Sequence, residues 1–346
     1  MKLLGLPIRR LRVEYGNLPK KISETILTRH WFLILLGVAL LTAWLAPHAA
    51  GRLQPQWWSW LPVVVIFLAS GLALPSERVR TAAGDWRVHA FVQGFSLVLV
   101  PLMVLALDPL LAALGVGEPL RLGIAFLACL PTTITSGVVF TRSAGGDEAL
   151  ALVNAVLGNL LGLVLTPLAL LLLIGRSAEI PLLPVLRELA LLVLLPFAVG
   201  QLLRLRLAAW AAAHRALLSN TPQAMVAVVL WLVFSAALQH GSGLSAGTVA
   251  LLVLGIAAAH AGLLLLAWTG GAALDRPRRI AATIVATQKT AALGAPLLAI
   301  VFGGRPDAAA IALPLIIYHP LQLLVAGVLA GRLRARTGSP APRSAT

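Results

Sequence analysis

The chain has 346 residues, of which 59% are hydrophobic and only 11% are charged. This much apolar surface exceeds what a water-soluble core could bury, so the composition excludes a soluble globular protein and favours a polytopic membrane protein. A formal net charge of +15 would suggest nucleic-acid binding in a soluble chain, but no nucleic-acid partner is expected here because the basic residues lie between apolar segments.

Ten apolar segments, separated by short polar breaks, are interpreted as membrane-spanning helices. A bilayer core about 30 Å thick needs roughly 20 apolar residues per helix. Abundant leucine and alanine, with little strand-like alternation, favours helices over a barrel. In chain order the predicted spans cover residues 31–47, 60–75, 88–107, 122–141, 148–174, 181–203, 222–239, 247–273, 280–303 and 308–330. The predicted fold class is therefore an all-α polytopic membrane protein.

The basic residues of alternate loops indicate the direction of these spans. Loops on one side, together with both termini, carry 21 Lys and Arg residues, whereas loops on the other side carry five and Lys289 lies inside a span. Because cytoplasmic loops retain positive charge, both termini are predicted to be cytoplasmic. The expected location is the cell membrane, which is the inner membrane in a Gram-negative cell, with the basic loops against anionic lipid headgroups.

The spans divide the chain into four regions. A basic N-terminal segment covers residues 1–30, a first five-helix half covers 31–174, a second covers 181–330 and a tail covers 331–346. Because five is odd, two homologous halves run in opposite directions through the bilayer, as in inverted-repeat transporters. The fourth span contains "LPTTITSGVVFT" and the ninth contains "ATQKTAALGAP". Each is the fourth span of its half, and each is interrupted by hydroxyl residues, Gly and Pro.

A broken membrane helix leaves backbone groups that hydrocarbon cannot satisfy, so such breaks are kept where they line a cavity. Lys289 is the strongest signal, because a charge at mid-span costs at least about 3 kcal/mol. The alternatives are that the threonines bond their own helix and that Lys289 pairs with a carboxylate, for which the nearest candidates are the loop residues Asp147 and Glu148. The predicted substrate or ion site comprises Thr132, Thr133, Thr135, Ser136, Asn154, Thr287, Gln288, Lys289 and Thr290, with Gln93, Ser96, His260, His319 and Gln322 as secondary candidates.

Enzymatic and ATP-driven functions are not expected. The sequence contains no catalytic metal spacing, no P-loop and no nucleophile elbow. We therefore predict no cofactor, and only sodium or a proton as a coupling ion. The expected partners are a small organic anion and the lipid bilayer, with no obligate protein partner.

The segments "LPTTITSGVVFTRSAGGDEALALVNAVLGNLLGLVLTPL", "ATQKTAALGAPLLAIVFG" and "LPLIIYHPLQLL" resemble the bile acid:sodium symporter superfamily. More narrowly, the chain resembles the bacterial symporter-like branch related to the divergent seventh member of the bile acid carriers. The resemblance implies ten helices in a panel domain (spans one, two, six and seven) and a core domain (the others). It also implies that the fourth and ninth helices unwind where they cross, and that the core moves against the panel in alternating access.

The family's sodium ligands are largely missing from this sequence. The resemblance places Ser136 and Gln288 on ligand positions, and these two residues are the candidates if sodium binds. Other ligand positions fall on side chains without oxygen, namely Gly137, Ala151, Ala155 and Ile284, and the asparagine after the glutamine becomes Lys289.

We therefore hypothesise that Lys289 is a built-in cation beside Thr133, Ser136, Gln288 and Thr290, with Asn154 as its partner. The predicted function is secondary transport of an organic anion without sodium. Transport is proton-coupled if Lys289 titrates, and is uniport or exchange if it does not. Two alternatives stay open. One is sodium-coupled symport through a modified ion site, and the other is a non-transporting membrane regulator or scaffold.

Overall fold

The computed structural model describes residues 18–49, 57–74, 86–174, 187–188, 190–238, 246–302 and 305–335. Over these residues it is helical, without a strand. The helices are α1 Leu18–Leu45, α2 Trp57–Ala73, α3 Trp86–Ala113, α4 Glu118–Cys129, α5 Ile134–Ser143, α6 Glu148–Ile174, α7 Ala190–Ala213, α8 Arg215–Leu238, α9 Ala246–Gly270, α10 Arg276–Thr287, α11 Ala291–Phe302 and α12 Ala308–Ala335.

The described helices include many that are suited to a bilayer. Seven spans are long and apolar enough to cross one, with α10 and α11 together counting as a single span. The α4–α5 pair makes an eighth, although its two helices are bent by 67°. Shorter apolar stretches lie in α1, at Ile34–Leu45, and in α2, at Trp60–Ala73. The predicted all-helical polytopic membrane protein is confirmed at this level.

Two helices continue beyond the apolar runs that were interpreted as membrane spans. The α1 helix begins at Leu18, inside the predicted N-terminal segment, and Pro19 lies in its first turn, where proline is favoured. The predicted loop between 203 and 222 is mostly helical, since α7 runs to Ala213 and α8 starts at Arg215. Leucine, alanine and arginine are strong helix formers, so hydropathy marks the membrane segment but not the helix end.

Glycines allow two pairs of helices to approach closely. A Cβ added to Gly71 of α2 would lie 2.3 Å from the Phe197 carbonyl oxygen of α7, and one added to Gly123 of α4 would lie 2.3 Å from the Ile311 oxygen of α12. Small residues at such contacts let membrane helices pack backbone against backbone. The second contact places the start of α12 against the middle of α4.

Two short non-helical segments meet inside the bundle. Residues 130–133 separate α4 from α5, and residues 288–290 separate α10 from α11. Pro131 lacks the N–H group that a continuing helix would use, and its carbonyl oxygen instead accepts a hydrogen bond of 2.8 Å from the Thr290 N–H. The two breaks therefore contact each other directly, and the candidate site is built around them.

Candidate functional site

The Lys289 ammonium is buried among main-chain oxygens. Lys289 is 2% exposed, and its Nζ donates at 2.8 Å to the carbonyl oxygens of Ser96, Ala128 and Leu130. The Ser96 hydroxyl oxygen lies 3.3 Å away. Each of the three ammonium hydrogens therefore has a carbonyl acceptor, which offsets part of the cost of burying the charge.

Local backbone geometry explains why these carbonyls are available. The α4 helix ends at Cys129 and Leu130 is extended, so Ala128 and Leu130 present carbonyls that no later helical N–H reaches. In α3, the π-helical turn Phe95–Leu99 directs the Val100 N–H to the Phe95 oxygen. Pro101, the next residue, has no N–H to offer Ser96. The ammonium thus caps the negative end of α4 and a gap in the α3 hydrogen-bond ladder.

The partners expected for the ammonium from the sequence are different. No ion pair to Lys289 is found among the described carboxylates; Glu148 pairs with Arg142, and the Asp147 carboxylate accepts from the Leu150 N–H. The prediction that Asn154 is the partner of the ammonium is also wrong, because Nζ bonds oxygens of Ser96, Ala128 and Leu130.

Instead, Asn154 links α6 to α3. Its main-chain oxygen accepts from Gln93 Nε2 at 2.9 Å, and its own amide donates to the Leu150 oxygen. Among the predicted residues, Ser96 is the one that contacts the ammonium, and it was only a secondary candidate.

The α12 helix supports the second break. Gln322 accepts from the Lys289 N–H through Oε1 and donates to the Lys289 oxygen through Nε2, both at 2.7 Å. Tyr318 donates to the Thr287 oxygen and lies 2.9 Å from His260 Nδ1, so the His260 ring nitrogen acts as the donor of that pair. The predicted residues His260, His319 and Gln322 thus form one polar row beside the break in α10–α11.

The α6 helix supports the first break in a similar way. Asn159 Nδ2 donates to the Thr132 oxygen and Thr166 Oγ1 donates to the Cys129 oxygen, both at 2.8 Å. Neither residue is among the site residues predicted from the sequence. Their spacing of seven residues could have identified them, because it places two polar side chains on one face of an apolar helix.

The remaining predicted residues differ in their contacts. Ser136 Oγ donates to Gln288 Oε1 at 2.9 Å, which joins α5 to the second break. Gln288 Nε2 and Thr132 Oγ1 are buried without a hydrogen-bond partner among the described residues. Unpaired buried polar atoms are rare in folded proteins, and these two both lie at the breaks.

The other threonines have partners or lie at a helix start. Thr287 Oγ1 donates to the Thr283 oxygen of its own helix, which is the ordinary packing role of a membrane threonine. Thr290 Oγ1 accepts from the Ala292 N–H, and Thr135 Oγ1 lies 3.2 Å from the Ser219 hydroxyl. Thr133 precedes α5 without a side-chain cap bond.

Comparison with known proteins shows the family of the chain. The family model described as the SBF-like CPA transporter family matches residues 30–335. The chain belongs to this family. The resemblance inferred from the sequence motifs is thereby confirmed, and so is the expectation of a membrane transporter rather than an enzyme.

Curated relatives span most of the chain. The sodium/bile acid cotransporter 7 of Danio rerio is 32% identical over 313 residues, covering 87% of this chain and 92% of the relative. That of Rattus norvegicus is 28% identical over 316 residues, covering 89% and 93%. An uncharacterized protein of Pseudomonas aeruginosa is 31% identical over 309 residues, covering 88% and 92%.

In this SBF-like family member, several positions that the resemblance assigned to sodium ligands are apolar and packed. Ala151 and Ala155 are fully buried in a cluster with Val285 and Ala286. Ile284 is 1% exposed in a neighbouring apolar cluster. A cation at these positions would find no side-chain oxygen from them, whereas oxygens do surround the Lys289 ammonium.

Proposed function

We propose that this protein is a secondary transporter of a small organic anion that works without sodium, with the Lys289 ammonium as its fixed positive charge. The carrying observation is that four oxygens from α3 and the end of α4 surround Nζ while no described carboxylate neutralises it. Oxygen cages of this kind are what hard cations bind in proteins. A covalently attached cation in such a cage removes the need for a dissolved one.

The surroundings of the breaks support an anionic substrate. The α5 and α11 helices both begin at a break, and helix N-termini present free N–H groups and partial positive charge. The Gln288 Nε2 and Thr132 Oγ1 atoms lie at the same breaks, and neither has a hydrogen-bond partner within the described part of the chain. The bile acids named for the cotransporter 7 relatives are organic anions, so they are the first substrates to test here.

We further propose the ten-span arrangement in two inverted halves, with a core domain moving against a panel domain and both termini in the cytoplasm. This proposal counts ten crossings: the seven long spans, the bent α4–α5 pair and the two shorter apolar helices in α1 and α2. The breaks then fall in the fourth and ninth crossings, and the fifth and tenth, α6 and α12, each support the break that precedes them.

Transport into proteoliposomes tests the sodium-independent mechanism. The probes are a radiolabelled bile acid and a panel of smaller radiolabelled carboxylates, each measured with sodium and again with choline in its place. We expect one or more of these anions to enter at the same rate in both salts, and Lys289→Ala to abolish that entry while the protein stays folded. Entry that requires sodium, or entry undiminished in Lys289→Ala, refutes the proposal.

Thermal melting provides a test that needs no substrate. The wild-type protein should melt at the same temperature in sodium chloride and choline chloride, because the cage is already filled. Lys289→Ala empties the cage, so sodium chloride should stabilise this variant more than choline chloride does. Sodium-specific stabilisation of the wild type would contradict a built-in cation.

A further inference from the structure

The break between α10 and α11 leaves the backbone of Lys289 without helical partners. Residues 288–290 are non-helical, so the Lys289 N–H and C=O cannot bond four residues away along the chain. Gln322 of α12 satisfies both groups at 2.7 Å, although it lies 33 residues further along the sequence. One side chain therefore takes over both hydrogen bonds that a helix would have provided.

The orientation of the Gln322 amide is fixed by three contacts. Its Oε1 accepts from the Lys289 N–H, while Nε2 donates to the Lys289 oxygen and lies 3.1 Å from His319 Nδ1. A flipped amide would place its NH2 group against the Lys289 N–H and its oxygen against a carbonyl. Gln322 is also fully buried, so water does not compete for these bonds. The amide is thus a two-point clamp with one allowed orientation.

This clamp acts on the residue whose side chain crosses from the second break to α3 and the end of α4. The Lys289 ammonium meets acceptors on α3 and α4, whereas the Lys289 backbone is held by Gln322 of α12. A shift of the Lys289 backbone would move Nζ away from all of these acceptors together. The geometry points to Gln322 as a positioning residue, which fixes the backbone of Lys289 so that its ammonium stays in the oxygen cage. This inference rests on the fixed-cation role proposed above.

The first break shows what such support looks like without a charged residue. There, Asn159 of α6 donates to the Thr132 oxygen, which is one bond from one amide. Thr132 carries no charge that must be aimed, and Pro131 has no N–H to satisfy. Gln322 makes two such bonds at the second break. At that break, Lys289 stands where the family resemblance places an uncharged asparagine.

Amine labelling can report the position of Lys289 directly. The chain contains only four lysines, and the other three are Lys2, Lys20 and Lys21, so a peptide that contains Lys289 is assigned without ambiguity. Formaldehyde with dimethylamine–borane methylates amines that leave their hydrogen bonds. In the folded full-length wild type in detergent, Lys289 should stay unmodified, and it should react when the protein is unfolded in dodecyl sulfate.

The decisive variant is Gln322→Leu, which removes both bonds while keeping similar side-chain volume. We expect Lys289 methylation to rise on the order of tenfold or more, because local opening becomes easier when two buried hydrogen bonds are lost. Gln322→Glu keeps the acceptor for the Lys289 N–H and should give an intermediate rate. This second variant also serves if Gln322→Leu does not fold.

Gln201 is the matched control. Its amide donates to the Gly71 and Leu74 oxygens and joins α7 to α2, away from the breaks. Gln201→Leu should therefore leave Lys289 protected, even if it lowers the melting temperature as much as Gln322→Leu does. Equal exposure of Lys289 in both variants would mean general loosening and would overturn the positioning role.

The outcomes separate the two proposals. A protected Lys289 in folded Gln322→Leu overturns the positioning role and leaves the fixed cation intact. Sodium-dependent anion entry overturns the fixed cation, whatever the labelling rates are. A wild-type Lys289 that reacts as fast as it does in the unfolded protein overturns both.

Discussion

Replacing Lys289 by methionine is the most direct perturbation of the site. Methionine keeps an unbranched side chain of similar length and removes the ammonium. The carbonyl oxygens of Ser96, Ala128 and Leu130 then lose their common donor. An orphaned buried acceptor costs about 2 kcal/mol, so three cost about 6 kcal/mol. About 3 kcal/mol is recovered because no charge has to be buried. The expected net loss of stability is about 3 kcal/mol.

The free energy of unfolding can be measured by titrating dodecyl sulfate into dodecyl maltoside micelles and following helical circular dichroism. Leu324→Met serves as the control, since Leu324 is 60% exposed on α12 and its replacement should change stability by less than about 0.5 kcal/mol. A Lys289→Met protein as stable as the wild type would refute the reasoning. It would mean that the carbonyls find other donors, or that the free-energy cost of burying the ammonium equals the stabilisation from its hydrogen bonds.

Two further predictions concern packing and the membrane boundary. Gly123→Ala should destabilise by at least about 2 kcal/mol in the same titration, because its Cβ would lie 2.3 Å from the Ile311 oxygen. Gly255→Ala places its Cβ where no atom of the described residues outside the local helix backbone lies within 4 Å, so it should stabilise α9 by about 0.5–1 kcal/mol; equal effects would contradict the close α4–α12 contact. Arg305 hydrogen-bonds to Asp307 and lowers the pKa of that carboxyl below its ordinary value of 3.8. The pair therefore stabilises fully above pH 3.8 and is lost as pH falls through the lower folded-state pKa. Asp307→Asn should cost up to about 1 kcal/mol at pH 7 and nothing once the carboxyl is protonated, as a pH series of unfolding titrations will show.

Hydropathy predicted the long apolar helices because bilayer thickness sets the length of an apolar run. It could not predict helix ends. Between Arg204 and Arg215 the chain stays helical almost throughout, and the Arg204 guanidinium donates to the Leu72 oxygen of α2. A long arginine side chain can return its charge to the protein or to the interface while its helix continues, so a charged residue does not mark a loop.

The candidate site was predictable where a side chain was out of place in an apolar segment, and Lys289 is the clearest case. Its partners were not predictable by the same reasoning, because they are main-chain carbonyls, which every residue carries. Whether a carbonyl is free depends on the helix breaking or changing its bonding pattern nearby. Among the features that free these carbonyls, only Pro101 and Pro131 can be recognised in the sequence. Their relation to Lys289 becomes visible only when the fold brings α3, α4 and the break after α10 together.

A fixed cation has a consequence for the energetics of transport. A dissolved sodium ion that enters with its substrate contributes the energy of its gradient, whereas an ammonium attached to the chain crosses nothing and contributes no gradient. If Lys289 takes the place of a mobile coupling ion, its charge lowers the cost of admitting an anion but cannot concentrate that anion. Accumulation against a gradient would then require the return of a second solute or the release of a proton at each cycle. The direction of net flux would follow whichever of these is available, so a sodium-independent carrier built on this site should exchange anions across a membrane that has no ion gradient.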